Sequence, residues 1–348
     1  MDIVVCGAGA IGGFLGGQLA LAGHQVTLID RPAAAAALNR DGLRITRGGA
    51  TLTAPVKAVG AVAEAPLDSA GLIVLATKAY DLAAALDELR AACPRPAQLL
   101  STQNGIGIEE MLVARFGADR VLAGTVTVPI SRAGANRLTV EREGRGLGIA
   151  PVRAGRAVED WVGLFAAAGI RAAALVDYRA MKWSKAFLNV MGNAVSAILN
   201  RPPGELYRMG AVFDLEMRML REMLAVMKQL GIAPVNLPGA TLRPLALSLG
   251  YAPRFLLRAV FTQVVVRGRG DKMPSFHIDL TQGRGRSEVV YHNGAIAAAG
   301  RDCGVATPVN SAYNDLLLAL SRGERSRAEF DGRPDRLLAE VARFERGA

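Results

Sequence analysis

Lys185, Asn189 and Asn193 recur at intervals of four in the run Lys182-Trp183-Ser184-Lys185-Ala186-Phe187-Leu188-Asn189-Val190-Met191-Gly192-Asn193. In a helix that advances ~100° per residue, this spacing puts one ammonium and two carboxamides on one face, about a turn apart. No proline interrupts the chain between Ala180 and Asn200, and apolar residues recur at helical spacing, so a single helix is expected. Polar groups in such apolar company need partners. A bound substrate is one candidate, because an ammonium can stabilise and protonate a developing oxyanion while an amide both donates and accepts. A solvated stripe on an ordinary amphipathic helix is the other reading. The choice depends on the elements that would position this face.

At the start of the chain, Asp2–Cys6 reads as a short buried strand that runs into Gly7-Ala8-Gly9-Ala10-Ile11-Gly12. An Ala/Leu-rich helical pattern follows through Ala22, Gly23 ends it, and Gln25–Asp30 forms a second strand. Glycines at this spacing, between a strand and a helix, form a dinucleotide fingerprint. Gly7 serves the tight turn, Gly9 lets backbone approach a pyrophosphate, and Gly12 allows close packing of helix on strand. The N–H groups at the helix start then face the phosphates. The second strand ends in Asp30-Arg31. An acid there accepts from the ribose 2′-hydroxyl of NAD, whereas an arginine pairs with the 2′-phosphate of NADP. Both are present, so the residues alone leave the cofactor open.

Further along, Leu43–Thr46 and Thr51–Val59 are strand-like runs around Gly48-Gly49. Leu72–Thr77 is an apolar strand that leads into Lys78, and the strand Gln98–Ser101 leads into Gln103-Asn104-Gly105. Lys78 and Asn104 therefore stand at the carboxyl ends of predicted parallel strands, the edge where doubly wound sheets bind ligands. Arg120–Ile130, Leu138–Glu141 and Gly146–Pro151 are further strand candidates. A helix at Val158–Ala168 and a strand at Ile170–Val176 close a first domain, 1–176. The second, 177–348, reads as all-helical, with Arg201-Pro202-Pro203-Gly204 as a break and residues 232–272 as irregular chain plus one amphipathic helix. The fold class expected is α/β, a Rossmann-type dinucleotide-binding domain followed by an all-helical C-terminal domain.

Composition narrows the function classes. The 348 residues are 51% hydrophobic and 21% charged, which suits a soluble globular protein of two domains rather than a disordered chain. No apolar run approaches the ~20 residues of a membrane span. The start shows no basic n-region of a signal peptide, so a cytoplasmic protein is expected. Cys6, Cys93 and Cys303 are far apart and read as free thiols, and His24, His277 and His292 are scattered, so no metal site is expected. Net charge is +10, and Arg243–Arg286 holds eight Lys/Arg against two Asp, a local +6. No aromatic-interleaved or helix-turn-helix pattern accompanies that charge; an anionic small molecule, a phosphorylated cofactor or a merely solvated face explains it equally well, and no nucleic-acid partner is expected.

Taken in order, these motifs make the chain resemble the 2-dehydropantoate 2-reductase (ketopantoate reductase) family over nearly its whole length. The resemblance rests on Gly7-x-Gly9-x-x-Gly12, Lys78-Ala79-Tyr80, Gln103-Asn104-Gly105 and Lys185-x3-Asn189-x3-Asn193. It continues through Pro274-Ser275-x3-Asp279-x8-Glu288, Asn293-Gly294 and Gly304-Val305-x-Thr307-Pro308-x-Asn310. It implies an active site in the cleft between a Rossmann domain and a helical domain. It also implies that Lys185 is the catalytic lysine, that Asn104, Asn189, Asn193 and Ser275 contact substrate, and that Glu288 lies near both cofactor and substrate. Ala8, Ala10, Ile11 and Lys78 join the glycines, Asp30 and Arg31 on the cofactor side. The chain departs from the family at Asp30, where NADP-preferring members usually have a small residue, and at Val290, where an acid is common. Its stretch 236–272 is also longer than usual.

The expectation is hydride transfer from NADPH, with NADH as the alternative donor, to a small anionic 2-oxo acid, with 2-dehydropantoate as the leading candidate. Two other readings stay open: an NAD-dependent 2-hydroxyacid dehydrogenase acting on another acid, and a dinucleotide-sensing regulatory protein without turnover. A homodimer is compatible with all of them.

Overall fold

The computed structural model describes residues 1–269 and 272–346. The chain forms two compact units: Met1–Lys182 with Asn236–Ala240, and Trp183–Val235 with Thr241–Ala348.

The first unit is built on strands β1 (Asp2–Cys6), β2 (Gln25–Ile29), β3 (Leu43–Arg47), β4 (Ala50–Ala54), β5 (Lys57–Val59) and β6 (Leu72–Leu75). It continues with β7 (Leu99–Ser101), β8 (Val121–Val126), β9 (Ile130–Ala133), β10 (Arg137–Val140), β11 (Leu147–Pro151) and β12 (Ala172–Ala174). Its helices are α1 (Ala10–Leu21), α2 (Pro32–Asp41), α3 (Leu82–Ala92), α4 (Ile108–Phe116) and α5 (Glu159–Ala167). Among the described residues, eight strands make one sheet in the order β12-β11-β8-β7-β6-β1-β2-β5, and four make another in the order β4-β3-β10-β9.

From β5 to β8 the large sheet is parallel; β11 then runs antiparallel to β8. β1 lies near the middle, with Ile3 opposite Val26 on one side and Leu72 on the other. Its buried Ile3, Val4 and Val5 show why the sequence there is continuously apolar: a parallel strand covered on both faces has no solvent side.

Helix α1 explains the glycine-rich run Gly12-Gly13-Phe14-Leu15-Gly16-Gly17. It packs against strands of both sheets and is buried through most of its length. A Cβ on Gly16 would come within 2.8 Å of Leu28 Cδ2, and one on Gly17 within 2.5 Å of Ile45 Cδ1. The helix is squeezed from both sides, so it is apolar all round rather than amphipathic.

Prolines explain two corrections to the expected strands. The run Thr51–Val59 is two strands: β4 pairs with β3 in the small sheet, β5 pairs with β2 in the large one, and Pro55 separates them. Likewise Arg120–Ile130 ends as β8 before Pro129, after which β9 joins the small sheet. Proline has no N–H for the ladder, so the chain changes sheets there.

The chain leaves the first unit inside α6 (Tyr178–Val190), and the second unit is helical as expected. It holds α7 (Asn193–Leu199), α8 (Pro203–Leu206), α9 (Gly210–Gln229), α10 (Arg243–Ser248) and α11 (Arg254–Arg269). α12 (Ser275–Thr281), α13 (Asn293–Cys303), α14 (Pro308–Arg322) and α15 (Pro334–Arg346) complete it. α9 packs against α13, α14 and α15, and its Phe213, Met219, Leu220 and Met223 are all buried. The described residues of the stretch 232–272, expected to hold one helix, form two, α10 and α11, with Pro244 in the first turn of α10, where its missing N–H is no loss.

The expected single helix through Asn193 is also corrected. α6 stops at Val190, Met191 and Gly192 turn, and α7 begins at Asn193. Gly192 takes a left-handed φ of +65°, which a residue with a side chain resists. Its N–H is diverted to Glu216 Oε2 at 2.8 Å, away from the helical ladder. Glu216 is fully buried and also accepts from Tyr207 and Tyr313 hydroxyls at 2.9 and 3.0 Å. A tyrosine-braced carboxylate nine residues downstream of Tyr207 thus sets the turn, and nothing in the local sequence of α6 announces it.

Candidate functional site

In the first unit the glycine loop follows from the crossing of β1, α1 and β6. Gly7 has φ +98°, donates its N–H to Ile29 O at 2.9 Å, and leaves no room for a Cβ, which would lie 2.8 Å from Thr77 N. At Gly12 a Cβ would lie 2.0 Å from Gly7 O and 2.9 Å from Ala76 Cβ. Gly7 and Gly12 are therefore required by packing. Gly9 is different: a Cβ there would meet nothing within 4 Å, and as the N-cap of α1 it supplies no side-chain cap. The open side of the loop is backbone only, next to a helix start whose first N–H groups seek an acceptor. Ala8, Ala10 and Ile11 complete that backbone. These residues fit a dinucleotide pyrophosphate.

The other cofactor-side candidates fall along the carboxyl edge of the same sheet. Asp30 follows β2. Its Oδ1 accepts the Arg31 N–H at 2.8 Å and its Oδ2 lies 3.6 Å from the Arg132 guanidinium, which comes from β9. Lys78 follows β6, half-buried, and opens the 3-10 turn Ala79–Asp81. Asn104 follows β7, also half-buried. The backbone at this edge is tied by Thr102, whose N–H and hydroxyl both donate to Leu75 O, at 2.9 and 2.8 Å.

Beside Asn104 is a buried ion pair that sequence reasoning missed. Lys182 is 3% exposed and Glu109 1%, and Lys182 Nζ lies 2.8 Å from Glu109 Oε1. The same ammonium donates to Gln103 O at 2.8 Å and Gly124 O at 3.2 Å, and the Ser101 hydroxyl donates to Glu109 Oε1. Such a pair is tolerated because every hydrogen of the ammonium has an acceptor. It fixes the turn that carries Gln103 and Asn104. Gln103 Oε1, buried next to that turn, has no partner among the described residues and so leaves an acceptor for a ligand N–H. The only signal in the sequence was a lysine and a glutamate in otherwise apolar runs.

In the second unit Lys185 and Asn189 stand one turn apart on α6, both half-buried. Asn193, at the start of α7, is 2% exposed. Its Oδ1 accepts the Phe276 N–H at 3.1 Å and its Nδ2 reaches Ser275 Oγ at 3.3 Å. Asn193 thereby caps α12, whose own N-cap position is Pro274 and offers no side-chain acceptor. Asn193 and Ser275, each expected to contact substrate, thus touch one another. Glu288 is 7% exposed and opens a 3-10 turn behind Ser287, whose hydroxyl accepts the Val289 N–H at 3.2 Å.

All three cysteines are free, and burial lifts the Cys6 thiol from 9.0 to about 12. Among the described residues no His, Cys, Asp and Glu side chains gather into a group able to hold a metal, and no helix is long and apolar enough to cross a membrane.

The family model described as ketopantoate reductase PanE/ApbA matches residues 3–147, and its C-terminal counterpart matches residues 177–321. A 2-dehydropantoate 2-reductase of Pyrococcus horikoshii is 32% identical over 237 residues, covering 67% of this chain and 75% of its own. The crystal structure of a PanE/ApbA family ketopantoate reductase from Ralstonia eutropha JMP134 matches with a TM-score of 0.79 at 27% identity, over 94% of this chain and 100% of that one. A D-mandelate dehydrogenase in ternary complex with NADH and anilino(oxo)acetate also scores 0.79, covering 93% of this chain and 99% of its own; at 22% identity that likeness is one of fold. With the α/β part and the helical part each matched in chain order, the protein belongs to the ketopantoate reductase PanE/ApbA family of oxidoreductases.

Proposed function

We propose that the protein is an NADPH-dependent 2-oxo acid reductase whose substrate is 2-dehydropantoate and whose product is pantoate. The observation that carries the cofactor side is the glycine loop, where Gly9 leaves open space beside the uncapped start of α1. Gly7, Ala8, Gly9, Ala10, Ile11 and Gly12 hold the pyrophosphate through backbone N–H groups, and Lys78 and Asn104 hold the nicotinamide end. The Asp30 charge is offset by Arg132, and Arg31 beside it can pair with a 2′-phosphate, which supports NADPH over NADH. In this reading residues 1–176 serve the dinucleotide and residues 177–348 the substrate.

When bound, the reduced dinucleotide supplies a hydride to the ketone carbon. Lys185 holds a proton at Nζ, stabilises the negative charge that grows on the ketone oxygen, and delivers that proton to complete the alcohol. Water then returns a proton to Lys185. Asn189 orients the ammonium, Asn193 and Ser275 hold the acid, and Glu288 accepts from a substrate hydroxyl. 2-Dehydropantoate carries such a hydroxyl besides its ketone and carboxylate, and the Pyrococcus horikoshii relative is named for acting on it.

The test is oxidation of NADPH and NADH by the purified chain against a panel of 2-oxo acids. It should include 2-dehydropantoate, 2-oxoisovalerate and phenylglyoxylate. The expected result is highest kcat/KM with NADPH and 2-dehydropantoate. Faster turnover of phenylglyoxylate than of 2-dehydropantoate would replace the substrate, and no turnover of any acid would end the proposal.

A further inference from the structure

The hairpin that carries Arg132 is outside the Gly-loop framework, yet it reaches the end of β2. Arg132 lies on β9, and its Nη2 is 3.6 Å from Asp30 Oδ2 and 3.1 Å from Ala135 O. Arg31 and Arg132 together line a shallow cavity of about 370 Å³, with Ala33 and Ala34 on one side and Gly134 and Ala135 on the other. The other lining residues are small and carry no charge, so both charged residues of the lining are arginines. Asp30, at the end of β2, accepts the Arg31 N–H through Oδ1 and faces Arg132 through Oδ2.

The geometry points to Arg132 as a specificity-determining residue, a second ligand of the cofactor 2′-phosphate opposite Arg31, with Asp30 as the residue that holds it in place. The inference rests on the NADPH reading above and adds to it a residue from a different sheet. Two guanidinium groups against one carboxylate leave a net positive charge, and a guanidinium has five donors, of which Arg132 directs few at Asp30 and Ala135. A dianionic phosphate fits that arrangement, whereas a neutral ribose diol gains nothing from Arg132. Asp30, which would otherwise repel the phosphate, is neutralised by the group that binds it.

Direct titration of the full chain by calorimetry tests this, with NADPH, NADH and adenosine 2′,5′-bisphosphate as ligands. Arg132→Ala and Arg132→Gln should each weaken NADPH and the bisphosphate by about tenfold or more, as loss of a charged hydrogen bond does, and leave NADH affinity unchanged. Arg132→Gln retains a donor for Ala135 O, so it keeps the hairpin turn if the alanine variant loosens it, and unchanged NADH affinity serves as the fold control. Asp30→Asn should tighten NADPH by removing a carboxylate that repels the phosphate, while its amide oxygen still faces Arg132. If Arg31→Ala abolishes the preference for NADPH while both Arg132 variants keep it, Arg132 is not a phosphate ligand and the NADPH reading stands. Equal loss for both cofactors also overturns the role of Arg132. If the unaltered chain binds NADH as tightly as NADPH, the cofactor reading fails and takes the inference with it.

Discussion

Lys182 and Lys185 are three residues apart on α6, and their surroundings give them different work. The Lys182 ammonium is buried and fully committed to Glu109, Gln103 O and Gly124 O. Removing it leaves a buried carboxylate without its counter-charge, a loss of about 3–5 kcal/mol. Lys185 is half-buried, and in the proposed reaction its proton moves. The two alanine variants should therefore separate stability from chemistry. Lys185→Ala should lower kcat by ~10²–10⁴ with its melting temperature and NADPH affinity nearly unchanged. Lys182→Ala should lower the melting temperature sharply, and the kcat of its folded fraction should fall far less than that of Lys185→Ala. Denaturant unfolding and single-substrate kinetics on both proteins decide the matter; a stable Lys182→Ala of unimpaired fold would show that the buried pair is not structural.

At the scale of elements, the carboxylates of α9 act on the ends of other helices. Glu222 accepts from Val309 N at 2.9 Å, Asn310 N at 3.0 Å and Asn310 Nδ2 at 2.7 Å, and so caps α14, whose N-cap residue makes no side-chain bond. Burial raises the Glu222 pKa, and the hydrogen bonds from Asn310 and Val309 only partly oppose it. A carboxyl group with a raised folded pKa stabilises the fold fully below its unfolded value and loses that contribution as pH rises through the folded one. Glutamine has no such titration. The stability of the unaltered chain relative to Glu222→Gln should thus fall as pH is raised from the ordinary glutamate range, about 4, toward neutrality. Urea unfolding at the two ends of that range measures it, and a difference that grows with pH would contradict the assignment.

The same elements show what could be read in advance. Gly7, Gly9 and Gly12 were legible because their order repeats a local requirement of strand, turn and helix. Lys78 and Asn104 were legible because each follows an apolar run long enough to be a parallel strand. The break at Gly192 was not, because its cause is Glu216, brought in by α9 from 24 residues away. Nor was the capping of α12 by Asn193, 83 residues distant, or the pairing of Asp30 with Arg132. Periodicity reports an element's own faces; it is silent about which remote group will take an N–H.

For the molecule as a whole, the net charge of +10 is carried almost entirely by arginine: of 41 basic residues only six are lysines. Lys57, Lys228 and Lys272 are exposed, Lys78 and Lys185 half-buried, and Lys182 buried. The sparse lysines make amine chemistry a reporter of structure. Limited acetylation of the native chain, followed by peptide mass mapping, should modify Lys57, Lys228 and Lys272 first. Lys182 should react only after unfolding, because its amine is buried against Glu109 and two carbonyls, out of reach of the reagent. Early acetylation of Lys182 would mean that the buried pair opens in the native state. The burial of one ammonium thus leaves a record that can be read without any substrate, as an unmodified lysine in an otherwise labelled protein.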